Sequence, residues 1–93
     1  MRSRYTAYAL GNADHVFRTW HPRTRPDDPK LDADVVWSGL RIVRTEAGGV
    51  DDDTGVVEFV ASNSGPLGRG ELHEVSRFER RAGRWCYVDG DLV

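Results

Sequence analysis

The first twenty-two residues, MRSRYTAYALGNADHVFRTWHP, constrain the fold more than any other stretch, because they predict two short helices separated by a break. On a helix over residues 1–10, the residues that share one face are Met1, Tyr5, Tyr8 and Ala9. Gly11 is expected to end this helix, because glycine takes the left-handed conformation without a Cβ clash.

The second predicted helix runs from Ala13 to about Trp20, with Asn12 or Asp14 as its cap. Its apolar face consists of Ala13, Val16, Phe17 and Trp20, and Pro22 then stops it. Neither helix is long enough to be stable alone in water. Both must therefore bury their aromatic side chains against a partner.

Four strand-like segments supply that partner, over residues 40–46, 56–62, 71–81 and 84–89. A proline-rich loop over residues 23–30 and one helical turn over residues 31–36 connect the helices to the first strand. The sequence therefore predicts one domain, residues 1–93, of the α+β class. It has two to three short N-terminal helices packed on a four-stranded antiparallel sheet.

The tight turn after residue 81 sets the register of the last two strands. With a two-residue loop, Phe78 pairs with Tyr87 and Ser76 pairs with Asp89. Glu74, Ser76 and Asp89 then point toward an aromatic face, where tyrosine hydroxyls are natural partners for carboxylates. A three-residue loop would shift this register. A sheet whose polar residues lie at its open end, in water, fits the pattern equally well.

Composition and local spacing exclude several classes of protein. The single cysteine, Cys86, excludes an internal disulfide and a cysteine-rich zinc site, so we predict no metal and no cofactor. No apolar run approaches membrane-spanning length, and no apolar signal segment follows the N-terminal arginines. We therefore expect a cytoplasmic protein with no membrane partner.

Two loops superficially suggest ligand sites. The three aspartates at residues 51–53 lack the alternating spacing and central glycine of a calcium loop. The glycine-rich segment over residues 63–70 lacks the lysine of a phosphate-binding loop. The net charge is −2 and the arginines are scattered, so we predict no nucleic-acid partner.

Four segments together resemble a known bacterial family. They are the opening twenty-two residues, WSGL at residues 37–40, LHEVSRF at 72–78 and GRWCYVDG at 83–90. They resemble the central domain of the YchJ-type proteins, which usually also carry the cysteine-rich SEC-C zinc motif. The likeness covers essentially the whole chain, but this sequence has no CPCGS-like cysteine cluster. The resemblance implies an NTF2-like fold, in which helices close over a curved antiparallel sheet to form a cone with a pocket.

The predicted function is non-catalytic: the pocket binds a small apolar ligand, or the domain mediates protein interaction. The residues expected to line the pocket are Tyr5, Tyr8, Trp20, Trp37, Glu74, Phe78, Tyr87 and Asp89. The alternative is an isomerase, dehydratase or hydrolase, with Glu74 or Asp89 as general base and Tyr5 or Tyr8 as hydrogen-bond donor. No spacing in the chain identifies catalytic residues, so binding is the favoured interpretation.

Apolar residues on the opposite face of the sheet lead us to predict a homodimer. Its expected apolar residues are Val56, Val60, Val75, Cys86 and Val88. A monomer would leave this surface in contact with water, which is unfavourable for a patch of that size.

Overall fold

The structure, a computed structural model, describes residues 2–28, 31 and 34–93. Two short helices, α1 (Arg2–Ala9) and α2 (Ala13–Arg18), precede four strands. The strands are β1 (Val36–Ala47), β2 (Thr54–Gly65), β3 (Gly68–Arg81) and β4 (Arg84–Leu92). They form one antiparallel sheet in the order β1-β2-β3-β4. The predicted α+β class is therefore confirmed. None of the helices in these residues is long and apolar enough to span a membrane.

Each strand is longer than the sequence predicted. The segment over residues 63–70 is mostly strand, because β2 and β3 continue to a two-residue turn in which Gly65 pairs with Gly68. Gly68 has a positive φ of 113°, which glycine tolerates and which the tight turn requires. Met1, residues 29 and 30 of the predicted loop and residues 32 and 33 of the predicted helical turn lie outside the described residues. Val36 already belongs to β1.

The break between the two helices lies where the sequence predicted it. Gly11 has a φ of 69° between them, and the Asn12 side chain accepts a hydrogen bond from the backbone N–H of His15 at 3.1 Å. The buried face of α1 differs from the prediction, since Arg4 and Ala7 are buried whereas Ala9 is exposed. The predicted apolar face did not include Arg4, which is buried in the structure.

The β3–β4 hairpin confirms part of the predicted register and corrects the rest. Arg81 pairs with Arg84 across the turn, and Phe78 pairs with Tyr87, as expected. Beyond that point a bulge at Val88 adds one residue to β4, so Asp89 pairs with Arg77 and not with Ser76. A bulge of this kind reverses the face on which the following side chains lie. The placement of Asp89 in the aromatic interior was therefore wrong.

The outer edge of β4 is covered by the chain that follows α2. The backbone N–H of Tyr87 donates to the carbonyl of Thr19 at 2.8 Å, and the N–H of His21 donates to the carbonyl of Tyr87 at 2.7 Å. The Thr24 hydroxyl donates to the carbonyl of Val88 at 2.5 Å. These bonds satisfy edge groups that would otherwise remain unpaired, and they hold Trp20 against the sheet.

The sheet face that turns away from the helices carries a ladder of charges. Glu58 accepts from Arg44 at 2.8 Å and lies 2.7 Å from His73, while Arg77 lies between Asp89 and Asp91. Three of the five residues expected to form an apolar dimer surface are buried within the single chain: Val60, Cys86 and Val88. The apolar surface that motivated the homodimer is thus smaller than expected, and the homodimer itself stays a prediction.

Candidate functional site

A cavity of about 180 Å³ lies between the helices and the sheet. The helices and the segment after α2 contribute Arg4, Tyr5, Tyr8 and Trp20 to its wall. The strands contribute Trp37, Phe59, Ala61, Leu72, Glu74, Ser76 and Tyr87. Alternation along β2 and β3 explains this set, because every second residue of a strand points to the same face. The wall is mostly aromatic and aliphatic, with a few polar groups.

Arg4 is the most deeply buried charged side chain of the described residues, with only 4% of its surface exposed. Its Nη1 donates to the backbone carbonyl of Val16 at 3.0 Å and to the Thr19 hydroxyl at 2.8 Å. The first of these bonds satisfies a carbonyl near the end of α2, where helix carbonyls lack intrahelical partners. Arg4 therefore ties α1 to the end of α2.

Three aromatic rings surround the Arg4 guanidinium. Its central carbon lies 4.6 Å from the ring centroid of Tyr87, 5.2 Å from Trp20 and 5.9 Å from Tyr8. Rings at these distances stabilise a cation through their quadrupoles. Burial lowers the pKa of Arg4 below its ordinary value, while Tyr8, Tyr87 and Glu74 act in the opposite direction.

The second polar group of the cavity is centred on Glu74. Its Oε2 accepts a short hydrogen bond from the fully buried Ser76 hydroxyl and a longer one, 3.4 Å, from the Tyr87 hydroxyl. Burial and the negative charge of Glu74 raise the pKa of Tyr87 to about 12. Tyr87 is therefore a neutral hydrogen-bond donor at physiological pH.

Because Gly90 has no side chain, the Glu74 carboxylate can occupy the space beside it. Gly90 pairs with Ser76 across the sheet, and a Cβ at this position would lie 2.6 Å from Oε2 of Glu74. The bulge at Val88 brings Gly90 to this position. The same irregularity thus removes Asp89 from the cavity and makes room for Glu74.

The structure brings together most of the predicted pocket residues and separates two of them. The six that line the cavity are Tyr5, Tyr8, Trp20, Trp37, Glu74 and Tyr87. Phe78 is buried against the Tyr87 ring, with centroids 5.8 Å apart, and lines a different depression with Trp85. Asp89 lies on the other face, where its carboxylate is 2.5 Å from Nε of Arg77. Glu74 is therefore the carboxylate that lines the cavity.

Sequence reasoning missed Arg4, which it did not include in the predicted buried face of the first helix. The available signal was spacing: Arg4 lies four residues before Tyr8 and three before Ala7, so the three share a helix face. An arginine among aromatic residues at that spacing indicates a buried cation packed on rings rather than a solvated charge.

The wall of the cavity carries polar groups of both charges. Arg4 offers a positive charge and N–H donors, and Glu74 with Tyr87 offers a negative charge and a hydroxyl. Across residues 2–28, 31 and 34–93, no cluster of three or more His, Cys, Asp or Glu side chains is placed to hold a metal ion.

Comparison with known proteins places the fold in a family. A family model described as the middle, NTF2-like domain of YchJ matches residues 1–90. The chain belongs to the YchJ middle-domain family. The resemblance carried by the opening helices, LHEVSRF and GRWCYVDG is therefore confirmed.

Relatives with the same domain occur in distant bacteria. A UPF0225 protein of Chromobacterium violaceum is 53% identical, over 97% of this chain and 69% of its own length. A UPF0225 protein of Streptomyces coelicolor is 50% identical, over the whole of this chain and 72% of its own length. The YchJ domain described here thus spans about seven tenths of each of these relatives.

A solved structure shares the YchJ-domain fold. The solution structure of a SEC-C motif-containing protein from Rhodopseudomonas palustris superposes with a TM-score of 0.83 at 32% sequence identity. The match covers all of this chain and 75% of that one. The two helices and the four-stranded sheet are therefore an arrangement that this neighbour shares.

Proposed function

We propose that this YchJ domain binds a small, mainly apolar molecule in the cavity between its helices and its sheet. The observation that carries the proposal is the cavity itself, about 180 Å³ of space walled by aromatic rings with buried polar groups at its edge. Ligand sites commonly combine an apolar wall with a few fixed polar groups.

The size of the cavity limits the ligand to a single ring with a short substituent. An apolar cavity of about 150 Å³ in a protein core accepts benzene. Contacts between its own rings order the wall: Trp20 and Tyr87 pack edge to face with centroids 5.0 Å apart, and Tyr5 and Trp37 with centroids 6.4 Å apart. A wall that is already ordered loses little entropy on binding, which favours affinity.

Protein-observed NMR with single-ring compounds tests this function. Toluene, phenol and benzamide are titrated into the ¹⁵N-labelled protein, and we expect dissociation constants of about 1 mM or lower, or about −4 kcal/mol. The shifted amide signals should belong to residues of the wall, such as Tyr8, Ala61 and Glu74. No binding by any ring compound, or shifts confined to the outer sheet face, would contradict the proposal.

A cavity-filling variant provides the control. Ala61 is 2% exposed and lines the cavity, so Ala61→Leu should occupy the space and weaken toluene binding at least tenfold. The matched variant is Ala9→Leu, on the exposed side of α1, which should bind toluene as the wild type does. Equal binding by the two variants would place the ligand elsewhere.

General-base catalysis is a second candidate function, supported by the contact of Glu74 with the neutral Tyr87 hydroxyl. A carboxylate beside a hydroxyl donor in an apolar cavity can remove a proton next to a carbonyl while the hydroxyl stabilises the enolate. Solvent deuterium exchange of cyclopentanone, followed by NMR, tests it. Exchange that the wild type accelerates and Glu74→Gln does not would support catalysis. Equal exchange in both proteins would leave binding as the function.

A further inference from the structure

We infer that the ligand of this cavity is a small monocarboxylic acid whose carboxylate pairs with Arg4, an inference that rests on the binding function proposed above. The arrangement behind it is a buried arginine, Arg4, on the wall of a mostly apolar cavity, with no carboxylate of the described residues in contact with it. The inference specifies the chemical class of a ligand that the cavity alone defines only by size.

Arg4 carries a charge that the described protein does not neutralise by contact. In the described part of the chain, the ion pairs of arginine involve Arg18, Arg23, Arg44 and Arg77, and none involves Arg4. Those four side chains are much more exposed than Arg4, which is 4% exposed. The surrounding rings and the two hydrogen bonds stabilise the Arg4 cation in part, but no carboxylate among the described residues contacts it, and buried ions are normally paired. A ligand carboxylate would supply the missing partner.

The arrangement of donors is suited to a carboxylate. Nη1 alone makes the two hydrogen bonds to Val16 and Thr19, so the guanidinium is held in one orientation by the helices. A guanidinium has five N–H groups in a planar fork, of which three belong to Nη2 and Nε. The Tyr8 hydroxyl is a further hydrogen-bond partner of this guanidinium. Planar carboxylates bind such a fork through two parallel hydrogen bonds, which are stronger than bonds between neutral groups.

The negative charge of Glu74 limits the ligand to a single acidic group. Glu74 lies on the same cavity wall, and its negative charge acts on both Arg4 and Tyr87. A second carboxylate near Glu74 would meet like charge in a site of low dielectric, which costs affinity. The remaining wall is mostly aromatic and aliphatic, so the rest of the ligand should be a hydrocarbon ring.

Matched ligands test the inference on the wild-type protein. Benzoate and benzamide have nearly the same shape and differ in charge, and terephthalate adds a second carboxylate to the ring of benzoate. We expect benzoate to bind at least tenfold more tightly than benzamide, a difference of about 1.4 kcal/mol, and terephthalate to bind more weakly than benzoate. The preference should persist in about 1 M salt, because a buried pair is screened less than a surface pair.

The outcomes separate the two proposals. If toluene binds at the cavity and benzoate binds no tighter than benzamide, the acid inference is wrong and the binding function stands. If no ring compound binds, both the binding function and the acid inference are wrong. Arg4→Met keeps an unbranched apolar stem and removes the charge and the N–H donors, so it should abolish the preference for benzoate over benzamide. An unchanged preference in this variant overturns the inference; if the variant does not fold, the wild-type comparison decides.

Discussion

Tyr87 is the residue at which the polar and aromatic parts of the cavity meet. Its ring contacts Arg4 at 4.6 Å, Trp20 at 5.0 Å and Phe78 at 5.8 Å, and its hydroxyl donates to Glu74. Its backbone pairs with Thr19 and His21 at the edge of the sheet. A single residue thus contacts the buried cation, the half-buried carboxylate and the segment that closes the sheet.

The raised pKa of Tyr87 predicts a loss of stability at alkaline pH. In the unfolded chain a tyrosine ionises near pH 10, whereas burial keeps the folded Tyr87 neutral to about pH 12. Its contribution is fully present below about pH 10 and is lost as the pH rises through the folded value. We expect the free energy of unfolding to fall less steeply between about pH 10 and 12 in Tyr87→Phe than in the wild type.

Denaturant unfolding at a series of pH values measures this difference, and ultraviolet titration of the phenols identifies the group. The titration step near pH 12 should be absent from Tyr87→Phe and present in the control variant Tyr5→Phe. A wild-type protein with no phenol that titrates above about pH 11 would contradict the placement of Tyr87 beside Glu74.

The residues of the site were predictable to different degrees. Tyr5, Tyr8 and Glu74 followed from helix and strand periodicity, because burial of one face produces a regular spacing. Asp89 did not, because one extra residue at Val88 changes which face the following side chains occupy. Arg4 did not, because hydrophobic patterning treats every arginine as exposed, whereas this one is stabilised by rings and by helix-end acceptors.

At the scale of elements, the start of α2 and the β3–β4 turn could be predicted from the sequence, while the strand lengths and the β2–β3 turn could not. Gly11 ends the first helix and Asn12 caps the second through local backbone geometry, which depends on adjacent residues and can therefore be predicted from the sequence. The extension of β2 and β3 into the glycine-rich segment depends on pairing between strands, since Asn63 pairs with Gly70 and Ser64 with Arg69. Such pairs are formed by tertiary structure, which overrides the weak strand propensity of glycine and asparagine.

Within the ladder of charges, Glu58 pairs with Arg44 on β1 and His73 on β3. We predict that Glu58 stabilises the fold at neutral pH and that this contribution is lost in acid. Hydrogen bonds from His73 and Arg44 lower the pKa of Glu58 below its ordinary value. The contribution of Glu58 is therefore present above the unfolded value of about 4.3, and it is lost as the pH falls through the lower folded value. Glu58→Gln should reduce the denaturation midpoint at neutral pH and lose this effect in acid.

Thermal unfolding of the variant and the wild type at about pH 7 and about pH 2 measures the effect, because these values bracket the ordinary pKa of glutamate. The control is Glu71→Gln, which removes an exposed carboxylate from β3 and should change the midpoint little. A difference between Glu58→Gln and wild type that is equally large at both pH values would exclude ionisation of Glu58 as its cause.

At the scale of the whole molecule, the helices and the sheet depend on each other. The helices contain eight and six residues, which is too short for stability in isolation. Their attachment consists of Arg4, the aromatic contacts around the cavity and the backbone bonds between residues 19–21 and Tyr87. We therefore expect the helical layer to form only together with the sheet.

Substitution of the two cavity tryptophans tests that dependence, and we predict that Trp20→Ala is more destabilising than Trp37→Ala. Trp20 lies in the segment that pairs with β4, its ring contacts Tyr87 and Arg4, and its Nε1 donates to Thr24 at 3.2 Å. The ring of Trp37 contacts Tyr5 at 6.4 Å, and its backbone is already held within β1. Loss of a buried aromatic side chain costs about 3–5 kcal/mol, and we expect about 3 for the half-buried Trp20. Denaturant midpoints in the reverse order would show that the helical layer is held mainly through β1 and not through the edge of β4.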